Sequence, residues 1–96
     1  MWKLKKGNCL ENAKKIKKDL EALKDKINFI RQINVEINLE NFTDDENNYD
    51  VILISSFNNI SDLKFYQNNS EHIKVADFIK SCIEKRVFID FEDKNL

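Results

Sequence analysis

The chain has 96 residues, 42% hydrophobic and 34% charged, which is the makeup of a single globular domain able to form a core without disulfides or a structural metal. With 16 Lys+Arg against 17 Asp+Glu its formal net charge is -1, so it lacks the overall field that draws proteins to nucleic acid or anionic lipid. No apolar run approaches the roughly 20 residues that span a bilayer, and the expectation is a cytoplasmic protein with neither nucleic acid nor membrane as partner.

Cys9 and Cys82 show no CxxC spacing and fall on two different predicted helices, as expected of reduced thiols rather than a staple or a zinc site. Glycine occurs once and proline not at all, which leaves left-handed turn positions to asparagine. The doublets Asn47-Asn48, Asn58-Asn59 and Asn68-Asn69 mark three expected breaks.

From Met1 to Lys5, Trp2 and Leu4 alternate with lysines, a short strand pattern. Gly7-Asn8 breaks it, and Asn8 is placed to cap a helix whose Leu10, Ala13, Ile16, Leu20, Leu23 and Ile27 recur every three or four residues. The opposite face interleaves Lys14, Lys15, Lys17 and Lys18 with Glu11, Asp19, Glu21 and Asp25, with pairs such as Glu11–Lys15. Acids interrupt the lysines and no aromatic joins them, which describes a solvated face rather than a nucleic-acid surface.

Gln32 to Leu39 alternates strictly, with Ile33, Val35, Ile37 and Leu39 on one side, as expected of an edge strand. Asp44, Asp45 and Glu46 follow without the ligand spacing or turn glycine of a calcium loop, so a solvated loop and no metal site is expected there. Tyr49 to Phe57 is apolar on both faces through Val51, Ile52, Leu53 and Ile54, the pattern of a central strand covered above and below.

Asn59 and Asp62 form a capping box for a short helix with Leu63 and Tyr66 inward, ended by the Asn68-Asn69 hinge. Ser70 is expected to cap the last helix, with Ile73, Val75, Ala76, Ile79, Cys82 and Ile83 on its apolar face and Lys85-Arg86 at its negative end. Val87 to Glu92 then reads as a closing strand.

This order predicts an α+β, ferredoxin-like βαββαβ domain with its second helical segment split in two and a strand order of 4-1-3-2. Helices would cover one sheet face only. A homodimer with its sheets face to face, a dimeric α/β barrel, is expected to cover the other. His72, the one histidine, stands in the first turn of the last helix, where the positive dipole end keeps imidazole neutral and basic.

The segments MWKLKKG, ALKDKI, YDVILISSF and DLKFYQNNSEHIKVADFIKSCIEKRVFIDFE together resemble the stress-responsive A/B-barrel (Dabb) family, most specifically from Tyr49 to Glu92. The resemblance implies one such domain over residues 1–96, assembled as a dimeric barrel. Family members begin several residues earlier with a lysine-histidine and a run of aliphatics, so it also implies a shortened N-terminal strand. Asn69-Ser70-Glu71-His72 stands where the family commonly has His-Pro-x-His, and Asn28-Phe29 where it has Pro-Gly.

In the family's plant olivetolic acid cyclase branch, a cofactor-free polyketide cyclase uses a tyrosine and a histidine that match Tyr66 and His72. Two further pocket histidines of that branch have no counterpart here. By that resemblance His72 would accept an α-proton while Tyr66 donates a hydrogen bond to the resulting enolate, with no cofactor. Two other readings use the same residues. In one, Tyr66 packs in the core and His72 fixes the hinge. In the other, a pocket between helices and sheet holds a small apolar ligand without turnover, lined by Phe29, Phe42, Phe57, Phe65 and Phe78.

Overall fold

The structure, a computed structural model, describes residues 1–38 and 48–91. Its elements run β1 (Trp2–Leu4), α1 (Cys9–Lys26), β2 (Gln32–Ile37), β3 (Val51–Ser56), α2 (Ile60–Asn68), α3 (Ser70–Cys82) and β4 (Ile83–Arg86). The strands form one antiparallel sheet in the order β2-β3-β1-β4, the predicted ferredoxin-like arrangement. Leu39, the loop with Asp44, Asp45 and Glu46, Phe42 and Glu92 lie outside the described residues.

Alternation along the strands sends one set of side chains toward the helices. Trp2, Leu4, Val35 and Val51 are buried there against Ala13, Ile16, Leu20 and Leu23 of α1 and Ile79 and Cys82 of α3. The α1 stripe is shorter than its sequence period suggests. Leu10 is exposed, and Ile27 reaches the core as an extended residue just past the helix. Asn8 makes no side-chain cap, and Gly7 supplies the turn with its positive φ. Lys15 pairs with Asp19 at 2.6 Å rather than with Glu11, and its ammonium lies 4.8 Å from the centre of the Phe78 ring.

Two other helix boundaries differ from expectation. Asn69, not Ser70, caps α3, its side chain accepting from the Glu71 N–H, so that this single extended residue both ends α2 and starts α3. At the far end the helix stops at Cys82, whose carbonyl accepts the Lys5 N–H at 2.8 Å. That bond turns the chain straight into the sheet. Lys85 and Arg86 consequently belong to β4, opposite Lys3 and Trp2, instead of to a helix terminus. Ile73, assigned to the apolar face of this helix, is exposed.

The closing strand is therefore earlier than the predicted Val87–Glu92. Its ladder ends where β1 begins: Val87 and Met1 exchange both backbone bonds, at 2.8 and 3.1 Å, and residues 88–91 run on without a strand partner among the described residues. These four residues have the right alternation for a strand but, among the described residues, no neighbouring strand to pair with.

Asp50 binds the start of β3 to β1. Its carboxylate accepts the Leu4 N–H at 2.8 Å, its own N–H donates to the Trp2 carbonyl at 2.9 Å, and Lys3 Nζ lies 3.7 Å from it. The expectation that β3 is covered on both sides is met on one side only. Ile52 and Ile54 point away from the helices and are 37% and 56% exposed.

Ile16 is fully buried at the centre of the α1 stripe. Ile16→Ala should cost about 2–5 kcal/mol, the usual range for truncating a closely packed aliphatic side chain, and chemical denaturation at fixed protein concentration measures it.

Candidate functional site

The hinge at Asn69 brings the last turn of α2 and the first turn of α3 side by side. Tyr66 faces inward from α2 and is 4% exposed, and His72 lies across the hinge on α3. Their rings are 4.3 Å apart between centroids, tilted by 46°. Sequence spacing alone does not require this contact. Asn69, extended at φ -71° and ψ 136°, folds the two helices so that it forms.

A third ring joins from the sheet side. Phe57, just past β3, has its centroid 5.1 Å from that of Tyr66. The other proposed lining residues stand elsewhere: Phe29 and Phe65 form an edge-on pair at 4.8 Å and are exposed, and Phe78 lies beneath Lys15. The described phenylalanines thus do not enclose one apolar pocket. Phe57 alone among them touches the Tyr66–His72 pair.

His72 Nδ1 is 3.3 Å from the Gln67 carbonyl oxygen. A carbonyl can only accept, so the proton belongs on Nδ1 and the lone pair on Nε2. Burial lowers the His72 pKa; the Gln67 bond opposes this, and the positive charge of Arg86 adds to it. The ring is thus neutral near pH 7 with an acceptor at Nε2. The predicted dipole argument reaches the same protonation state, but burial is the larger cause.

Burial pushes the Tyr66 pKa up to about 12, which keeps the phenol protonated and a hydrogen-bond donor. Its hydroxyl is buried and has no hydrogen-bond partner among the described residues. A donor held this way carries a desolvation cost of about 1–3 kcal/mol, and in native proteins such a group calls for an explanation. One donor seeking an acceptor and one neutral base seeking a proton therefore stand side by side.

Arg86 and the Gln67 carbonyl are the participants that sequence reasoning missed. Arg86 was assigned to a helix end, and a main-chain carbonyl leaves no sequence signal. Among the described residues no three His, Cys, Asp or Glu side chains gather as a metal site. Cys9 and Cys82 are both free thiols; burial and the Asp50 charge raise the Cys9 pKa. No described helix is long and apolar enough to cross a membrane. A separate hollow of about 290 Å³ lies at the other end of the sheet, with Met1, Tyr49, Ile52, Glu36 and Asp50 in its wall, and neither Tyr66 nor His72 borders it.

Because the folded-state pKa of His72 is lowered from 6.5, the unfolded chain takes up this proton first as pH falls. Stability should decline from pH 6.5 down to that lowered value. His72→Gln should flatten this part of a Tm-against-pH curve and leave the carboxylate-driven loss at lower pH in place.

A search of curated proteins gave no match to the chain. Among solved structures it is similar to a dimeric protein of unknown function and ferredoxin-like fold from Bacteroides fragilis, with 29% identity and a TM-score of 0.83 over 96% of this chain and 89% of that one. It also shares its fold with a dimeric ferredoxin-like protein of unknown function from Jannaschia, at 12% identity and a TM-score of 0.72, covering 88% of this chain and 81% of the other. Residues 1–93 match the stress responsive A/B barrel domain, and the chain belongs to that family.

Proposed function

We propose that the chain is a homodimeric barrel, joined through the open face of its sheet, in which each subunit uses Tyr66 and His72 to bind and enolise a small carbonyl compound without a cofactor. The unpartnered Tyr66 hydroxyl carries this reading. The phenol O–H donates to the carbonyl oxygen of the ligand, and Nε2 of neutral His72 removes a proton from the adjacent carbon. As that C–H bond breaks, its electron pair moves through the new C=C bond to the oxygen, and the enolate is held by the Tyr66 hydrogen bond. The imidazolium then returns the proton to carbon or to a neighbouring atom. Phe57 supplies an apolar wall against Tyr66 that favours a ligand with an apolar body.

The dimer is supported by the sheet. Ile52 and Ile54 lie exposed on the face opposite the helices, and Lys17 donates from α1 to the Val35 carbonyl of β2, occupying an acceptor that another strand would need for edge-to-edge growth. With that edge blunted, burial of the apolar face falls to a second copy, and the similar solved proteins are themselves dimeric. Two free thiols fit a reducing, cytoplasmic setting.

Deuterium exchange at the central carbon of ethyl acetoacetate, followed by NMR, tests the chemistry. Wild type should exceed buffer, and His72→Gln should lose about 100-fold or more of the enhancement, the usual contribution of a positioned base. Equal exchange by wild type and His72→Gln, with both folded, rules out His72 as the base. Tyr66→Phe should also lose exchange while gaining stability of about 1–3 kcal/mol by removing the unsatisfied hydroxyl, seen as a higher Tm. For the dimer, Ile54→Lys should shift the protein to monomer in light scattering with its circular dichroism unchanged.

A further inference from the structure

Arg86 acts on the candidate site from outside its two helices. In the ladder it stands opposite Trp2, and directly paired residues of neighbouring strands share a face. Trp2 is buried on the helix side of the sheet, so Arg86 leaves β4 on that side too, the side of Tyr66 and His72. Its guanidinium lies 4.7 Å from the centre of the Phe88 ring, and the residue is exposed. Among the described residues its N–H groups have neither a hydrogen-bond partner nor an ion pair.

Carboxylates that could have answered this charge are committed elsewhere. Glu71, next to His72 in α3, lies 3.7 Å from both Lys26 and Lys74, and Asp50 accepts the Leu4 N–H at 2.8 Å. Arg86 therefore keeps its positive charge within electrostatic reach of the His72 ring, where it lowers the pKa. For a base this is a conflict: His72 works by becoming imidazolium, and a neighbouring cation disfavours that form. An anion on the guanidinium removes the conflict. Guanidinium matches a carboxylate with two parallel N–H bonds, and the pair presents little net charge to the ring. One molecule satisfies all three groups when it has a carbonyl oxygen for Tyr66, an acidic C–H for Nε2 and a carboxylate for Arg86.

We propose that the ligand of the Tyr66–His72 pair is an oxo acid whose carboxylate binds Arg86 and offsets its charge while His72 takes the proton. This rests on the enolising site proposed above and adds to it the class of substrate. Its orientation follows from burial. Phe57 and the buried phenol mark the inner end and exposed Arg86 the outer one, so the carbonyl points inward and the carboxylate stays toward solvent. A neutral ester of the same acid lacks the outer contact.

Acetoacetate and its ethyl ester are the probes, used with the full chain. Arg86→Gln should lower the acid-to-ester ratio of kcat/KM for deuterium exchange about 10-fold or more, the usual effect of losing a hydrogen bond to a charged group. His72 is the one histidine, so the proton NMR signal of its ring Cε1–H reports its titration directly. Excess acetoacetate should move the His72 pKa up in wild type, and the ester should not. Arg86→Gln should raise it in the free protein and abolish the response to acetoacetate. A titration that acetoacetate leaves unchanged, or that acid and ester shift alike, overturns the oxo-acid reading and leaves enolisation standing if exchange persists. A His72 signal that answers acetoacetate alone, with neither compound exchanging, supports the carboxylate contact and overturns enolisation instead.

Discussion

Three residues hold the two halves of this domain together. β1 (Trp2–Leu4) lies between β3 and β4 and sends Trp2 and Leu4 into the core. On one side it depends on Asp50, which accepts the Leu4 N–H and donates its own to the Trp2 carbonyl. On the other, the Lys5–Cys82 bond fixes where α3 stops and β4 starts. A strand this short offers few ladder bonds, so side chains and loop backbone from both halves have to complete its pairing. The register of the C-terminal half and the release of residues 88–91 from the sheet both follow from it.

The candidate site owes its form to a second constraint, the hinge at Asn69. Proline-free and glycine-free, the hinge relies on one extended asparagine whose side chain caps the helix that follows. Its tightness presses the Tyr66 and His72 rings together and turns the Gln67 carbonyl toward Nδ1. The buried tyrosine hydroxyl therefore works against stability within the subunit, a local conflict of the kind that functional sites retain. A phenylalanine would fill the same space without that cost.

Much of the architecture was legible from periodicity. The three-and-four spacing of Ala13, Ile16, Leu20 and Leu23 marked α1 and its buried face, and the strict alternation of Ile33, Val35 and Ile37 marked an edge strand. The doubly apolar β3 identified itself as central, though one of its faces still lies open in the subunit. Segment ends were less legible. Asn8 and Ser70 had the composition of caps, but Gly7 and Asn69 have the backbone geometry that ends or begins the turn. For the site, residue chemistry singled out His72, and the resemblance to the family supplied Tyr66 as its companion. The described phenylalanines among the candidate pocket lining, Phe29, Phe57, Phe65 and Phe78, do not gather at one place, because aromatic residues at helix and strand spacing serve several unconnected contacts.

The sequence by itself determined which stretches form helices and strands and which way their apolar faces point, because those properties repeat within a few residues and need no distant partner. Only the tertiary structure decided where the last strand ends, since that depends on a bond between Met1 and Val87, 86 positions apart. It likewise decided that the Tyr66 hydroxyl is enclosed without an acceptor among the described residues and that His72 offers Nε2. Both are matters of which groups from separate helices meet, and no local pattern encodes that meeting.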